Sequence, residues 1–180
     1  DPKNRVLVLP IWKDMSTDLY DLLVGHEVGH AWETPAEGWH NALNGQKRGF
    51  KSYLNVVEDA RIERCIKSRY PGLRSCFYKA YKGLADKDFF GIAEREISTL
   101  NLIDRINLHF KIGSLTEVVF SEEEEVWVVR ASHTRTFQDV IDLAVELANW
   151  IKSKQEDQTP VEQPKPNGSA ADGGDKEYTP

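Results

Sequence analysis

The amino-acid sequence predicts a mainly α-helical domain with a small N-terminal β element, which is the α+β class. Apolar residues recur at three- and four-residue steps through most of the chain, as in amphipathic helices. A short segment rich in Val and Leu precedes the first of these patterns. With 180 residues the chain is long enough for one domain with a sizeable core. We expect residues 1–151 to form that domain.

Capping residues and apolar stripes predict where the individual strands and helices begin and end. Asn4–Ile11 is predicted as a strand because Val and Leu favour extended structure, and Pro10 marks its end or an edge position. The first helix is expected to begin after Ser16 or Thr17, which are good N-cap residues, and to end before Pro35. Further helices are predicted at about Phe50–Lys67, Arg74–Ala85, Phe89–Lys111 and Phe137–Ile151, with another that begins at Glu122.

Three of these boundaries rest on particular capping residues. Asp88 is the candidate N-cap of the long helix Phe89–Lys111, and Gly113 is its stop signal. Ser121 with Glu124 has the spacing of a capping box. Residues 152–180 contain Pro, Gly and acidic residues and lack Leu, Ile and Phe, so we expect a disordered linker or tail.

Composition excludes several classes of protein. A net charge of −6 without a basic cluster argues against nucleic-acid binding. No apolar run approaches the roughly 20 residues that cross a bilayer, so no membrane association is expected. Cys65 and Cys76 do not have the spacing of a zinc site. They are most simply free thiols in a reducing, cytoplasmic compartment, although a disulfide between them stays open.

The pattern H-E-x-x-H in the first helix supplies two candidate metal ligands and a candidate general base. His26 and His30 are four residues apart, so their imidazoles lie on one face and can meet at one metal ion. Zinc suits two nitrogen donors in a tetrahedral site with an open position. Glu27 follows the first histidine and could act as general base on a zinc-activated water. The alternative is an ordinary helix that carries two histidines.

A third ligand is expected on the next helix. The spacing H-E-x-x-H-x-x-G-x-x-H is excluded because Glu33 and Ala36 occupy the last two positions. Glu58 lies on the apolar stripe of helix 50–67, where an unpaired carboxylate would be very costly. We therefore predict that His26, His30 and Glu58 bind the metal. In the alternative, Glu58 pairs with Arg61 or Arg64 and binds no metal.

Other residues are expected to support the site. Asp59 lines up with Glu63 one step around the helix, which indicates an outer or surface role, and Arg61 and Glu63 could brace the ligands. His109 is a candidate for stabilising the oxyanion, although a histidine on an apolar stripe is more often a core residue. Its rivals for that role are Tyr70, Tyr78 and Tyr81.

The motifs together resemble a known family. H-E-V-G-H followed by N-V-V-E-D-A-R-I-E-R and Y-P-G-L resembles the zincin metallopeptidases of the gluzincin type that T4-like tailed phages encode. The second motif also resembles segments of nitric-oxide-reductase activation proteins and of the cobaltochelatase accessory subunit, in which a von Willebrand A domain follows an acidic linker. The resemblance implies a zincin-like domain with one Zn²⁺ per chain. It also implies His26, His30 and Glu58 as ligands, Glu27 as base, and a C-terminal von Willebrand A domain beyond this chain.

The sequence therefore predicts a zinc metalloendopeptidase that hydrolyses peptide bonds of peptide or protein substrates. It would act in the cytoplasm, which is the host cytoplasm if a phage encodes it. The alternative is a non-catalytic zinc-binding or zincin-like scaffold that works with an AAA+ motor or in phage assembly. Glu27 distinguishes the two functions, because a catalytic zinc site needs a base whereas a structural zinc site needs four protein ligands and no base.

Overall fold

The computed structural model describes residues 6–10, 12–47 and 49–158, and this part of the chain is mainly helical. None of its helices is both long and apolar enough to span a membrane. A short 3-10 helix, Ile97–Thr99, precedes the fifth α-helix. The α-helices are α1 (Thr17–Glu33), α2 (Ala36–Leu43), α3 (Phe50–Arg69), α4 (Leu73–Asp86), α5 (Leu102–Ile112), α6 (Glu122–His133) and α7 (Phe137–Gln158).

The predicted N-terminal strand does not appear within the described residues. Residues 6–10 of the segment are described and form no strand, whereas Asn4, Arg5 and Ile11 lie outside the described residues. Val and Leu favour extended backbone, but a strand also needs a neighbour that accepts and donates its backbone hydrogen bonds. Residues 6–10 belong to no β-ladder in the described part of the chain. Val6 and Leu7 instead line a cleft beside α1.

Capping predicted several helix ends correctly. Ser16 is the N-cap of α1, and its hydroxyl accepts a hydrogen bond from the Leu19 N–H at 3.1 Å. That helix ends at Glu33, before Pro35. Ser121 and Glu124 form the predicted capping box at the start of α6. The predicted helices 50–67 and 74–85 correspond to α3 and α4 within two residues at each end.

The prediction of one long helix over Phe89–Lys111 is wrong. Asp88 does cap nearby N–H groups, but its φ of 52° and the φ of 63° at Gly91 turn the chain there. Asn101 caps α5 by accepting a hydrogen bond from the Asp104 N–H, so the helix starts only at Leu102. A polar residue inside a periodic pattern therefore marks a second start.

The C-terminal helix runs further than the composition indicates. α7 continues to Gln158, past the expected end at Ile151 and into the predicted linker. Residues 159–180 of that predicted linker lie outside the described residues. The domain boundary that we expected after residue 151 therefore does not coincide with the end of a helix.

α3 organises the packing. It contacts α1, α4, α5, α6 and α7, and its apolar side chains belong to two hydrophobic clusters. Phe50, Leu54 and Val57 pack with α5, α6 and α7, whereas Ile66 packs with α1 and α4. The segment between these clusters is buried although it is rich in charge; its buried charged residues are Glu58, Asp59, Arg61 and Glu63. Every buried side-chain N or O atom of the described residues has a hydrogen-bond partner.

Glycine permits α1 to lie close to α3. A Cβ at Gly29 would come within 3.1 Å of Ile62 Cδ1 and 3.4 Å of the Ile62 carbonyl oxygen. Because Ile62 is fully buried, its Cδ1 has little room to move away, and a larger residue at Gly29 would strain the contact between the two helices. This close contact brings the histidines of α1 next to the carboxylates of α3.

We expect Gly29→Ala to lower the free energy of unfolding by about 1–2 kcal/mol, because overpacking outweighs the better helix propensity of Ala. Urea denaturation measures this change. Gly83→Ala in α4 is the matched control, since a Cβ there meets nothing within 4 Å. It should stabilise the protein by about 0.5–1 kcal/mol. Equal effects of the two substitutions would contradict a close contact at Gly29.

Candidate metal centre

Two helices supply the side chains of the candidate centre. α1 provides His26 and His30, whose rings are 4.8 Å apart between centroids and nearly perpendicular. α3 provides Asp59 and Glu63, which are four residues apart and therefore face the same way. The packing of α1 against α3 brings these two pairs together.

Both histidines direct Nε2 at one oxygen of Asp59. The Oδ1 atom of Asp59 is 3.2 Å from Nε2 of His30 and 3.6 Å from Nε2 of His26. Metal–ligand bonds of about 2.1 Å in a tetrahedral site separate the ligand atoms by about 3.4 Å. The ligand atoms of these three residues all lie within 4.8 Å of one another. His26, His30 and Asp59 therefore fit a divalent ion such as zinc.

The other nitrogen of each ring is held by a separate partner. Nδ1 of His26 donates to Oε1 of Glu63 at 3.2 Å. Nδ1 of His30 donates to the Thr34 hydroxyl oxygen at 3.1 Å, and that hydroxyl donates to Glu58. Such partners fix the orientation of a ligating histidine and leave Nε2 for a metal. Both rings are thus held with Nε2 facing Asp59, which is the orientation that a pair of metal-binding histidines needs.

The contacts of Glu58 are those of the alternative that we left open, in which it pairs with Arg61. Its side chain is fully buried, as its position on the apolar stripe indicated. However, Nε of Arg61 donates to Oε2 at 2.8 Å, and a second guanidinium nitrogen donates to Oε1 at 2.7 Å. Thr34 also donates to Oε1. Glu58 is therefore paired with Arg61, and Asp59 is the carboxylate beside the two histidines.

The charges of Asp59 and His30 depend on each other. Burial alone would lower the pKa of His30, but the hydrogen bond and the charge of Asp59 outweigh it and raise that pKa. Burial would likewise raise the pKa of Asp59, yet His30, Lys111 and His26 together lower it. Asp59 is thus ionised at neutral pH, as a metal ligand must be.

Lys111 links the two carboxylates of α3. Its Nζ lies 3.1 Å from Oδ2 of Asp59 and 3.4 Å from Oε1 of Glu63. Burial would raise the pKa of Glu63, but His26, Lys111 and Lys67 lower it to about 2. The Tyr81 hydroxyl also donates to Glu63 at 2.5 Å. Glu63 is therefore held as a charged acceptor for Nδ1 of His26.

Glu27 follows the candidate ligand His26 in the chain and is exposed to solvent. It lines, together with His30, an open cleft of about 630 Å³. The walls of the cleft also include Val28, Trp32 and Trp39. A molecule in the cleft could therefore contact both the Glu27 carboxylate and the candidate metal centre.

The remaining predicted site residues lie elsewhere. His109 has aromatic contacts with Phe110 and Phe120 rather than with the metal-centre histidines, and burial lowers its pKa. Tyr70 stacks with Trp32 and is half exposed. The aromatic contacts of His109 and Tyr70 do not place either residue beside the two histidines, where an oxyanion donor would be needed. His40 of α2 is exposed and lines the cleft beside Glu27.

Sequence reasoning missed Thr34, Lys111 and the role of Asp59. One signal was available for Asp59: it and Glu63 repeat on α3 at the same four-residue step as the histidines on α1. Two helices in contact would bring matched pairs together. Nothing in the sequence marks Lys111, because it reaches the site from α5.

A scan against models of protein families and searches of curated proteins and of solved structures find no match to this chain.

Proposed function

We propose that the chain is a zinc-dependent metalloendopeptidase with a zincin-like site. His26, His30 and Asp59 would bind the ion, and Glu27 would act as general base. The convergence of both Nε2 atoms on Asp59 Oδ1, while both Nδ1 atoms have other partners, carries this proposal. Three protein ligands would leave one position of a tetrahedral ion open, as catalytic zinc requires.

A bound zinc ion supplies Lewis acidity, which makes water a usable nucleophile near neutral pH. Glu27 would take the proton from the attacking water and deliver it to the leaving amine. Asp59 and the two histidines would orient the centre. Glu63 and the Thr34–Glu58 pair would keep the imidazoles in the required tautomer.

The cleft beside Glu27 supports a peptide substrate. It is partly open to solvent, and its lining includes Val6, Leu7, Trp32 and Trp39, which offer apolar surface to the side chains of a peptide. We also propose that the protein acts in the cytoplasm, which is the host cytoplasm if a phage encodes it. Cys65 and Cys76 support it because both are free thiols.

Metal removal tests the proposed activity. We expect hydrolysis of an unfolded protein such as casein to disappear after treatment with a chelator. It should return with one equivalent of Zn²⁺ and not with Mg²⁺, which prefers oxygen ligands. His26→Ala should show no activity under any of these conditions. Hydrolysis that survives chelation, or that persists in His26→Ala, would contradict the proposal.

A non-catalytic scaffold is the second candidate. Lys111 pairs with Asp59 and Glu63, so the buried carboxylates have a protein cation of their own. A centre of this kind could hold α1, α3 and α5 together without chemistry. If the metal only stabilises the fold, zinc would raise the melting temperature and no substrate would be cleaved.

A further inference from the structure

A second cavity, of about 570 Å³, lies between α3, α4, α5 and the C-terminal end of α6. Small-molecule sites have volumes of about 300–1,000 Å³. Four basic residues line this cavity, although the chain as a whole carries a net charge of −6. They come from three different helices and are Arg64, Lys67, Arg74 and Lys111. Their convergence exists only in the folded chain, which is why the sequence shows no basic cluster.

The positive charge of this cavity is only partly compensated. Glu63 is the single carboxylate in its lining, and it already accepts hydrogen bonds from His26, Lys67, Tyr81 and Lys111. Two of the cations have no acidic partner in the described part of the chain. Arg64 donates to a neutral backbone carbonyl, that of Thr134, and Arg74 is exposed without an ion pair. A ligand with negative charge would therefore find unused donors.

Aromatic side chains also line the cavity. Phe77, Tyr78 and Phe110 line the cavity, and Tyr78 is half exposed. The ammonium group of Lys67 lies 5.2 Å from the centre of the Phe77 ring, so charge and apolar surface adjoin each other. Phe77 is buried, but an inorganic anion alone would leave the rings of Tyr78 and Phe110 uncovered. A ligand that joins an anionic group to an apolar body would contact both the cations and these rings.

We propose that this cavity binds a small organic phosphate. The guanidinium groups of Arg64 and Arg74, with Lys67, would hold the phosphate, because a planar guanidinium matches two phosphate oxygens at once. An apolar or aromatic body would lie against Tyr78 and Phe110. This site goes beyond the proposed peptidase activity and uses none of the candidate metal ligands.

Calorimetric titration of the intact chain with phenyl phosphate, and separately with inorganic phosphate, tests the proposal. We expect saturable binding of phenyl phosphate that is several times tighter than that of phosphate. Arg74→Gln should weaken the binding of phenyl phosphate at least about tenfold, since it removes a charge-assisted hydrogen bond. The exposed side chain of Arg74 has no hydrogen-bond or ion-pair partner within the described residues, so its substitution should not disturb folding.

Lys79→Gln is the matched control, because it removes one positive charge from an exposed position of the same helix outside the cavity lining. It should leave binding of phenyl phosphate within about twofold. Three results would overturn the proposal: no saturable binding at millimolar concentrations, equal weakening by both substitutions, or equal affinity for the two anions. Binding that a chelator abolishes and that Arg74→Gln leaves unchanged would place the anion at the candidate metal centre and would also overturn it.

Discussion

Asp59→Asn is expected to weaken zinc binding by a factor of about 100 or more. Four-ligand zinc sites in small peptides bind with about 10–16 kcal/mol, so one ligand contributes about 3 kcal/mol. Asparagine keeps the shape of the side chain but loses the charge that faces both Nε2 atoms. Competition with a fluorescent zinc chelator measures the dissociation constant.

Glu58→Gln is the control for this prediction, since it removes the neighbouring carboxylate without touching the ring nitrogens. It should weaken zinc binding by at most about tenfold, through Thr34 and His30. Its main effect should be on stability, because the buried guanidinium of Arg61 would keep only the more distant carboxylate of Glu33, at 3.5 Å. If Glu58→Gln costs more zinc affinity than Asp59→Asn, the original assignment of Glu58 as ligand would be restored.

Glu27→Gln is expected to lower kcat for peptide hydrolysis by a factor of about 10²–10⁴, which is the usual contribution of a general base. Zinc content and affinity should stay at the wild-type level, because Glu27 is not among the residues that fit the ion. The amide keeps the size of the side chain, so substrate binding and KM should change little. Activity with a series of quenched fluorescent peptides, together with metal analysis of the same samples, provides the measurement.

Wild-type activity in Glu27→Gln would exclude this residue as the base. The next residue to test as the base would then be His40, which also lines the cleft, is titratable and has no assigned role. Loss of zinc together with activity would show instead that Glu27 contributes to the metal site itself. Glu37→Gln is a suitable control, since Glu37 is an exposed acidic residue of α2 outside the cleft lining.

Local signals in the sequence predicted much of the fold. Ser16, Pro35 and the pair Ser121–Glu124 predicted helix ends because capping depends on residues close in the chain. The same kind of signal misled us at Asp88, which caps a turn instead of a helix. The N-terminal strand was a weaker prediction, since a strand depends on a partner that local sequence cannot supply.

The candidate site was predictable only as far as single helices determine it. The spacing of His26 and His30 gives their common face, and the stripe on α3 correctly gives the burial of Glu58. The choice between Glu58 and Asp59 depends on which of two adjacent carboxylates meets Arg61 and which meets α1. That choice is made by tertiary packing, as is the arrival of Lys111 from α5.

The zinc content of the purified protein tests the central claim most directly. Plasma emission spectrometry should find one zinc per chain in the wild type after loading and desalting. His26→Ala should retain markedly less, and Glu27→Gln should retain the full amount. If the wild type holds no zinc after incubation with the metal, the centre would be an ion-pair network that only braces the helices, and the peptidase proposal would be contradicted.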